Sequence, residues 1–359
     1  MMLPLKGLRV LDLTRLLPGP VCTWHLASLG AEVMKVEDRV VGDYARTFFQ
    51  TEAESKQGQD SVFFRAINAD KQIIKLDLKS AVDKQAFLDL VPTVDLVVES
   101  FRPGVMAKLG LDAQALMKIK PSLVYCAITG YGSTGPWQTH ACHDLNSMAI
   151  TGMLDQNRAP DGRPTMPNFQ MADVLGGGVS AAMGCLAALW QASRTRQGSF
   201  VDVSMTDGLL AHNLTAQVSV HQTGTTKGPE QDLLNGGVPC YNLYETSDGQ
   251  WLALGALELK FWQNFCEAVN KPNWRDQHWS LGQVPGSDAA RALTQAVQLE
   301  IKTATRDQWL ARLTPIDCCA TPVLSLAESM LHPLFIERKV VRQDAAGVSW
   351  LQPHVQVRG

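Results

Sequence analysis

The opening 37 residues constrain the fold most. "LRVLDLT" (8–14) is a short apolar run, "GPVCTWHLASLG" (19–30) is helical in texture and ends on Gly30, and "AEVMKVE" (31–37) is a second apolar run. That order is a βαβ unit, which requires a parallel strand pair with a helix packed across it. The pattern repeats through "QIIKLDL" (72–78), a helix from about Ser80, "VDLVVES" (94–100), a helix through "PGVMAKLG", and "SLVYCAIT" (122–129). The first 130 or so residues therefore predict a doubly wound parallel sheet.

With 359 residues the chain exceeds an ordinary single domain, which predicts a division. The large domain is expected over 1–222, a smaller α+β domain over 223–318, and a returning C-terminal segment over 319–359. The crossing is "TGTTKGPEQDLLNGGVP" (223–239), rich in Gly, Thr and Pro. Beyond it "YNLYETSDGQWLALGA" reads as a hairpin turning at Ser247–Asp248–Gly249. "GGGVSAAMGCLAALWQAS" (176–193) is a small-residue helix, and 206–222 a further one.

Composition narrows the function. A net charge of −3 lacks the basic footprint of a nucleic-acid binder. At 45% hydrophobic and 19% charged the chain reads as globular, with no span expected in a membrane. The N-terminus lacks an export signal, so a cytoplasmic protein is expected. Eight cysteines without CxxC spacing suggest reduced, buried thiols rather than a metal site. The turn "RLLPGP" after the first strand has no GxGxxG, and its prolines remove amides that a pyrophosphate would need, which argues against a nicotinamide or flavin site.

Two places hold chemistry. In "HACHDLNSMAITG" (140–152), His143 precedes Asp144; a histidine gives and takes protons near neutrality, though it equally serves as a hydrogen-bonded loop residue. In "QMADVLGGG", Asp173 stands at a helix start, where a carboxylate either caps the helix or neighbours an anion site made of backbone amides near Gly176 and Gly177.

The ordered blocks "GLRVLDLTRLLPGPVCTWHLASLGAEVMKVE", "NADKQIIKLDLKS", "ESFRPGVMAKLGL", "ITGYGSTGPW", "QMADVLGGG", "GSFVDVSMTDG" and "ATPVLSLAESMLHPLFIERKVV" resemble the family III CoA-transferase superfamily, closest to its α-methylacyl-CoA racemase branch. The resemblance implies an interlocked homodimer acting on acyl-CoA, with CoA as part of the substrate and no further cofactor or metal. It assigns His143 and Asp173 as two catalytic bases and Glu258 as the support of the histidine. In the transferases of the superfamily Asp173 would instead be the nucleophile. Arg102 of "FRPG", Arg39, Arg46 and Lys71 are the basic candidates for CoA. A non-catalytic CoA-binding protein is expected if the catalytic trio fails to converge. The sequence departs from the family at Asp38, where an arginine is usual and Arg39 follows, at Cys142, where glycine is usual, and at Ser147, where tyrosine is usual.

Overall fold

The computed structural model describes residues 3–343, 349–352, 355 and 357. The chain forms two compact units. One comprises Met1–Met153, Asn168–Asn213 and Pro333–Gly359, and the other Leu154–Pro167 and Leu214–His332.

The main sheet of the first unit has six strands: β1 Arg9–Asp12, β2 Glu32–Glu37, β3 Gln72–Lys75, β4 Leu96–Glu99, β5 Val124–Thr129 and β6 Phe200–Ser204. Their order is β3-β2-β1-β4-β5-β6, and every pairing is parallel. β4 is buried along its whole length, as a strand covered on both faces must be, which explains its unbroken "LVVE". The chain builds outward from β1 to β3, then returns to β4 on the other side of β1. That reversal opens a crevice at the carboxyl ends of β1 and β4.

The helix Pro18–Ser28 fills the first crossover and begins on proline, where no amide is needed. Just before it, Leu16 is held at φ 61°, the left-handed region that a leucine rarely adopts.

The segment 172–195 is more continuously apolar than the sequence reading allows for. It is one helix of 24 residues, long and apolar enough by length and composition to cross a membrane. Its first eight residues, Ala172–Val179, wind as a π-helix, and Ser180–Thr195 continue as an α-helix. The same composition suits a helix whose small residues lie on a sheet: Ala181, Cys185, Ala188 and Ala192 are buried, and the helix packs on β5 and β6. The helix expected over 206–222 divides into Met205–Leu210 and Leu214–Thr223.

In the second unit β7 (Tyr241–Glu245) and β8 (Trp251–Gly255) form the hairpin, with Gly249 at φ 73° in its turn. β9 (Ala320–Pro322) pairs antiparallel with β8, so the unit continues to His332 rather than closing at 318. It also begins at Leu214 rather than 223 and takes in 154–167, which composition does not mark. Trp262, Phe265 and Trp309 anchor its core. All eight cysteines are free and six are buried.

Candidate active site

A cavity of about 290 Å³ occupies the crevice of the first unit. Arg15 and Leu16 follow β1, Ser100 to Pro103 follow β4, and Ile128 to Gly130 end β5; all of them line it. His143 and Asp173 line the same cavity. This is where an open parallel sheet binds its ligands, because strand ends and helix starts there leave side chains free to converge.

His143 stands immediately before the helix Asp144–Ile150, with its side chain exposed. Its amide donates to Asn146 Oδ1 at 3.0 Å, which fixes the backbone and leaves the imidazole to the cavity. Asp144 turns the other way. Its Oδ1 accepts from the amides of Ala172 at 2.7 Å and Asp173 at 3.1 Å, so it caps the helix that starts at Ala172.

Asp173 therefore projects from the first turn of a π-helix, a geometry that recurs at functional sites. Burial, and then the neighbouring Asp144 charge, push its carboxyl up to about 7. Asp144 is also raised by burial, although the two amides oppose this.

Gly176 and Gly177 do not take the place expected of them. Both are buried within the helix and neither lines the cavity. A Cβ on Gly176 would lie 2.3 Å from the Met205 carbonyl oxygen, and one on Gly177 2.8 Å from Pro18 Cβ. Both glycines admit the close approach of the Pro18 and Met205 segments to this helix.

The two family departures in this region meet each other. Cys142 Sγ lies 3.1 Å from Ser147 Oγ, and Ser147 Oγ lies 3.0 Å from Thr206 Oγ1. Ser147 is fully buried, and the space above Gly130 is occupied by Cys142. A thiol where glycine is usual thus accompanies a small hydroxyl where tyrosine is usual.

The basic candidates separate sharply. Lys71 is a correction: its side chain is buried, bonded to Asp12 at 3.1 Å, the Pro20 carbonyl and Asn68, so it braces the first crossover and is closed to a phosphate. Arg46 is held by Glu37 at 2.8 Å and Asp60 at 2.6 Å, and Arg39 forks onto Asp83 at 2.5 and 2.7 Å. Neither lines the cavity. Arg102 does, exposed and without an ion-pair partner among the described residues. Arg15 lines it too, a residue that nothing in the sequence pattern marks although it opens the turn "RLLPGP". Asp144 was likewise missed as a cap, because the helix it caps lies 28 residues on.

Glu258 belongs to the second unit. It is exposed at the start of the helix Leu259–Ala268, its carbonyl accepting from the amides of Phe261 and Trp262.

Comparison with known proteins agrees with this architecture. The profile of CoA-transferase family III matches residues 5–357. The chain is 30% identical over 329 residues to the alpha-methylacyl-CoA racemase of Mus musculus, covering 91% of this chain and 80% of that one. It is 31% identical over 347 residues to the succinyl-CoA:mesaconate CoA-transferase of Haloarcula hispanica, covering 94% and 84%. A crystal structure of a CaiB/BaiF family protein from Brucella suis superposes with a TM-score of 0.83 at 26% identity, covering 99% of this chain and 93% of that one. A profile match across nearly the whole length, on a sheet with its crevice at the expected strand ends, makes this chain a member of CoA-transferase family III.

Proposed function

We propose that the protein is an acyl-CoA racemase that inverts the α-carbon of a 2-methylacyl-CoA, or a similar α-substituted acyl-CoA. One observation carries the reading: an imidazole, His143, and a carboxyl raised to about 7, Asp173, line one cavity. An imidazole and a carboxyl raised towards neutrality, facing one cavity, supply the two proton carriers that a 1,1-proton transfer needs. One takes the α-proton, and the C–H electron pair moves onto the thioester oxygen as an enolate. The other, protonated, returns a proton to the opposite face. His143 serves one enantiomer and Asp173 the other, with Glu258 as the proposed support of His143. The scheme calls for no cofactor beyond the CoA carried by the substrate.

The second reading is CoA transfer between carboxylic acids. Here ionised Asp173 attacks the acyl-CoA carbonyl, expels CoA thiolate and forms a mixed anhydride; CoA thiolate then attacks the aspartyl carbonyl, releasing the carboxylate and leaving an aspartyl thioester. The similarity to the Haloarcula transferase supports it. It leaves His143 without a role.

We also assign a cytoplasmic homodimer with neither nucleic-acid nor membrane partners. The exposed stripe Leu175, Val179, Met183 and Trp190 along the long helix supports a second copy as its cover.

The test is proton NMR in heavy water with (2R)- and (2S)-2-methylacyl-CoA and no acceptor acid. Loss of the α-proton signal is expected, slowed roughly 10²–10⁴-fold in His143→Ala and Asp173→Asn. Absence of exchange, together with CoA transfer once a carboxylic acid is added, would replace this reading with the second.

A further inference from the structure

Of the basic residues around the crevice, Arg15 and Arg102 line the cavity without an ion-pair partner among the described residues, and Arg15 is the one held between aromatic rings on a pinned turn. Lys35, Arg39, Arg46 and Lys71 each hold a carboxylate within salt-bridge distance. Arg15 has none within 4.0 Å among the described residues, and the nearby Asp38 carboxylate is turned to the amides of Val40 and Val41. The Arg15 guanidinium lies between two rings, 5.5 Å from the centre of Tyr44 and 5.8 Å from that of Phe101, with a hydrogen bond of 3.4 Å to the Tyr44 hydroxyl. A guanidinium flanked by aromatic rings is fixed in direction while its charge is left uncompensated.

The turn that presents Arg15 is fixed from beneath. Asp43 Oδ1 accepts from the Leu16 amide at 3.0 Å, and Asp43 Oδ2 pairs with Lys35 Nζ at 2.8 Å. Lys35 Nζ donates in turn to the Thr14 carbonyl at 2.8 Å. Both partners of this ion pair are fully buried. Residues 14 and 16 are thus pinned on either side of Arg15, and Leu16 is kept in the left-handed conformation. Strain over-determined by surrounding contacts accompanies functional sites.

We propose that Arg15 is the anion-recognising residue of the cavity, binding a phosphate of CoA or a free carboxylate on the acyl group, and that the buried Lys35–Asp43 pair is its positioning element. The inference rests on the acyl-CoA reading of this site. It does not depend on whether the reaction is racemisation or transfer.

Calorimetric titration with free CoA, pantetheine, propionyl-CoA and succinyl-CoA tests it, since binding needs no turnover. Arg15→Met is expected to weaken at least one anionic probe tenfold or more. A loss for free CoA with pantetheine unchanged identifies the phosphate. A loss for succinyl-CoA alone identifies the carboxylate. Affinities within twofold of wild type for all four probes would overturn the proposal. Asp43→Asn tests the positioning element, and its sign is diagnostic. Removing a negative charge strengthens anion binding if only the local field matters, whereas loss of aim weakens the same probe that Arg15→Met weakens. Where Asp43→Asn does not fold, Leu16→Gly releases the turn without an unpaired buried charge and is expected to give the same probe-selective loss. An equal change across all probes, or none, sinks the positioning role. Absence of α-proton exchange in the NMR experiment leaves these binding results standing, so the two proposals fail separately.

Discussion

Asp144 accepts a hydrogen bond from the backbone amide of Asp173 at 3.1 Å, so the acid next to one proposed base caps the helix that carries the other. The two bases are therefore not independently mounted. Replacing Asp144 with Asn keeps an acceptor for the cap and removes its charge. Asp173 is raised chiefly by burial and secondly by Asp144. In Asp144→Asn the acid limb of the pH–rate profile, for the enantiomer deprotonated by Asp173, is expected to move to lower pH. It should stay above the ordinary carboxylate range, because burial is unchanged. A limb that stays at about pH 7 would remove Asp144 as a cause.

Asp173 should also weaken the fold at neutral pH. Its carboxyl rises from 3.8 to about 7 on folding, so the protonated form is favoured in the native state. The resulting penalty is absent below about pH 4, grows through the interval and is complete above about pH 7, reaching roughly 4 kcal/mol at most. Asp173→Asn is expected to gain stability over wild type in urea unfolding, more at pH 8 than at pH 4.5. An equal gain at both would contradict the raised carboxyl.

Gly176→Ala tests the packing role that replaces the expected oxyanion role. The added methyl meets a backbone carbonyl at 2.3 Å, which no side-chain rotation relieves. A loss of about 3 kcal/mol or more is expected, read as a lowered urea midpoint. A variant of normal stability with impaired exchange would restore the catalytic assignment.

Cys142 and Ser147 should behave as one unit. Ser147→Tyr alone forces a large ring into a fully buried position beside Cys142 and Thr206, while Cys142→Gly opens space there. The double variant is expected to be more stable than the sum of the singles predicts, with a coupling of about 1 kcal/mol or more in a double-mutant cycle. Additive losses would mean that the contact at 3.1 Å is incidental.

The parallel sheet was legible because apolar-rich runs alternate with helical segments along the chain, most clearly in the central strands β1, β4 and β5, which are buried, and less so in the edge strands β3 and β6, which are partly exposed. His143 and Asp173 could be named from the pattern around them, and both reach the cavity. The basic residues could not be ranked that way. Lys71 and Arg15 look alike in a sequence; what separates them is whether a carboxylate from a distant strand arrives beside them, as Asp12 does for Lys71 across 59 positions. The glycines misled for a related reason, since a residue without a side chain serves equally to admit a ligand and to admit a neighbouring backbone. The excursion 154–167 carries no compositional mark at all.

That excursion bears on how the molecule is made. The polypeptide passes from one unit to the other after residues 153, 167, 213 and 332. During synthesis the first unit is suspended twice: β6 emerges after the fourteen residues 154–167 that belong elsewhere, and the final segment from Pro333 emerges after the whole of the second unit. Neither unit can be completed on the ribosome as a block while the other waits. A premature stop after 167 or 213 therefore releases two unfinished bodies, and one after 332 leaves the second unit whole but the first without its last segment, so the first unit is closed only by the last residues made.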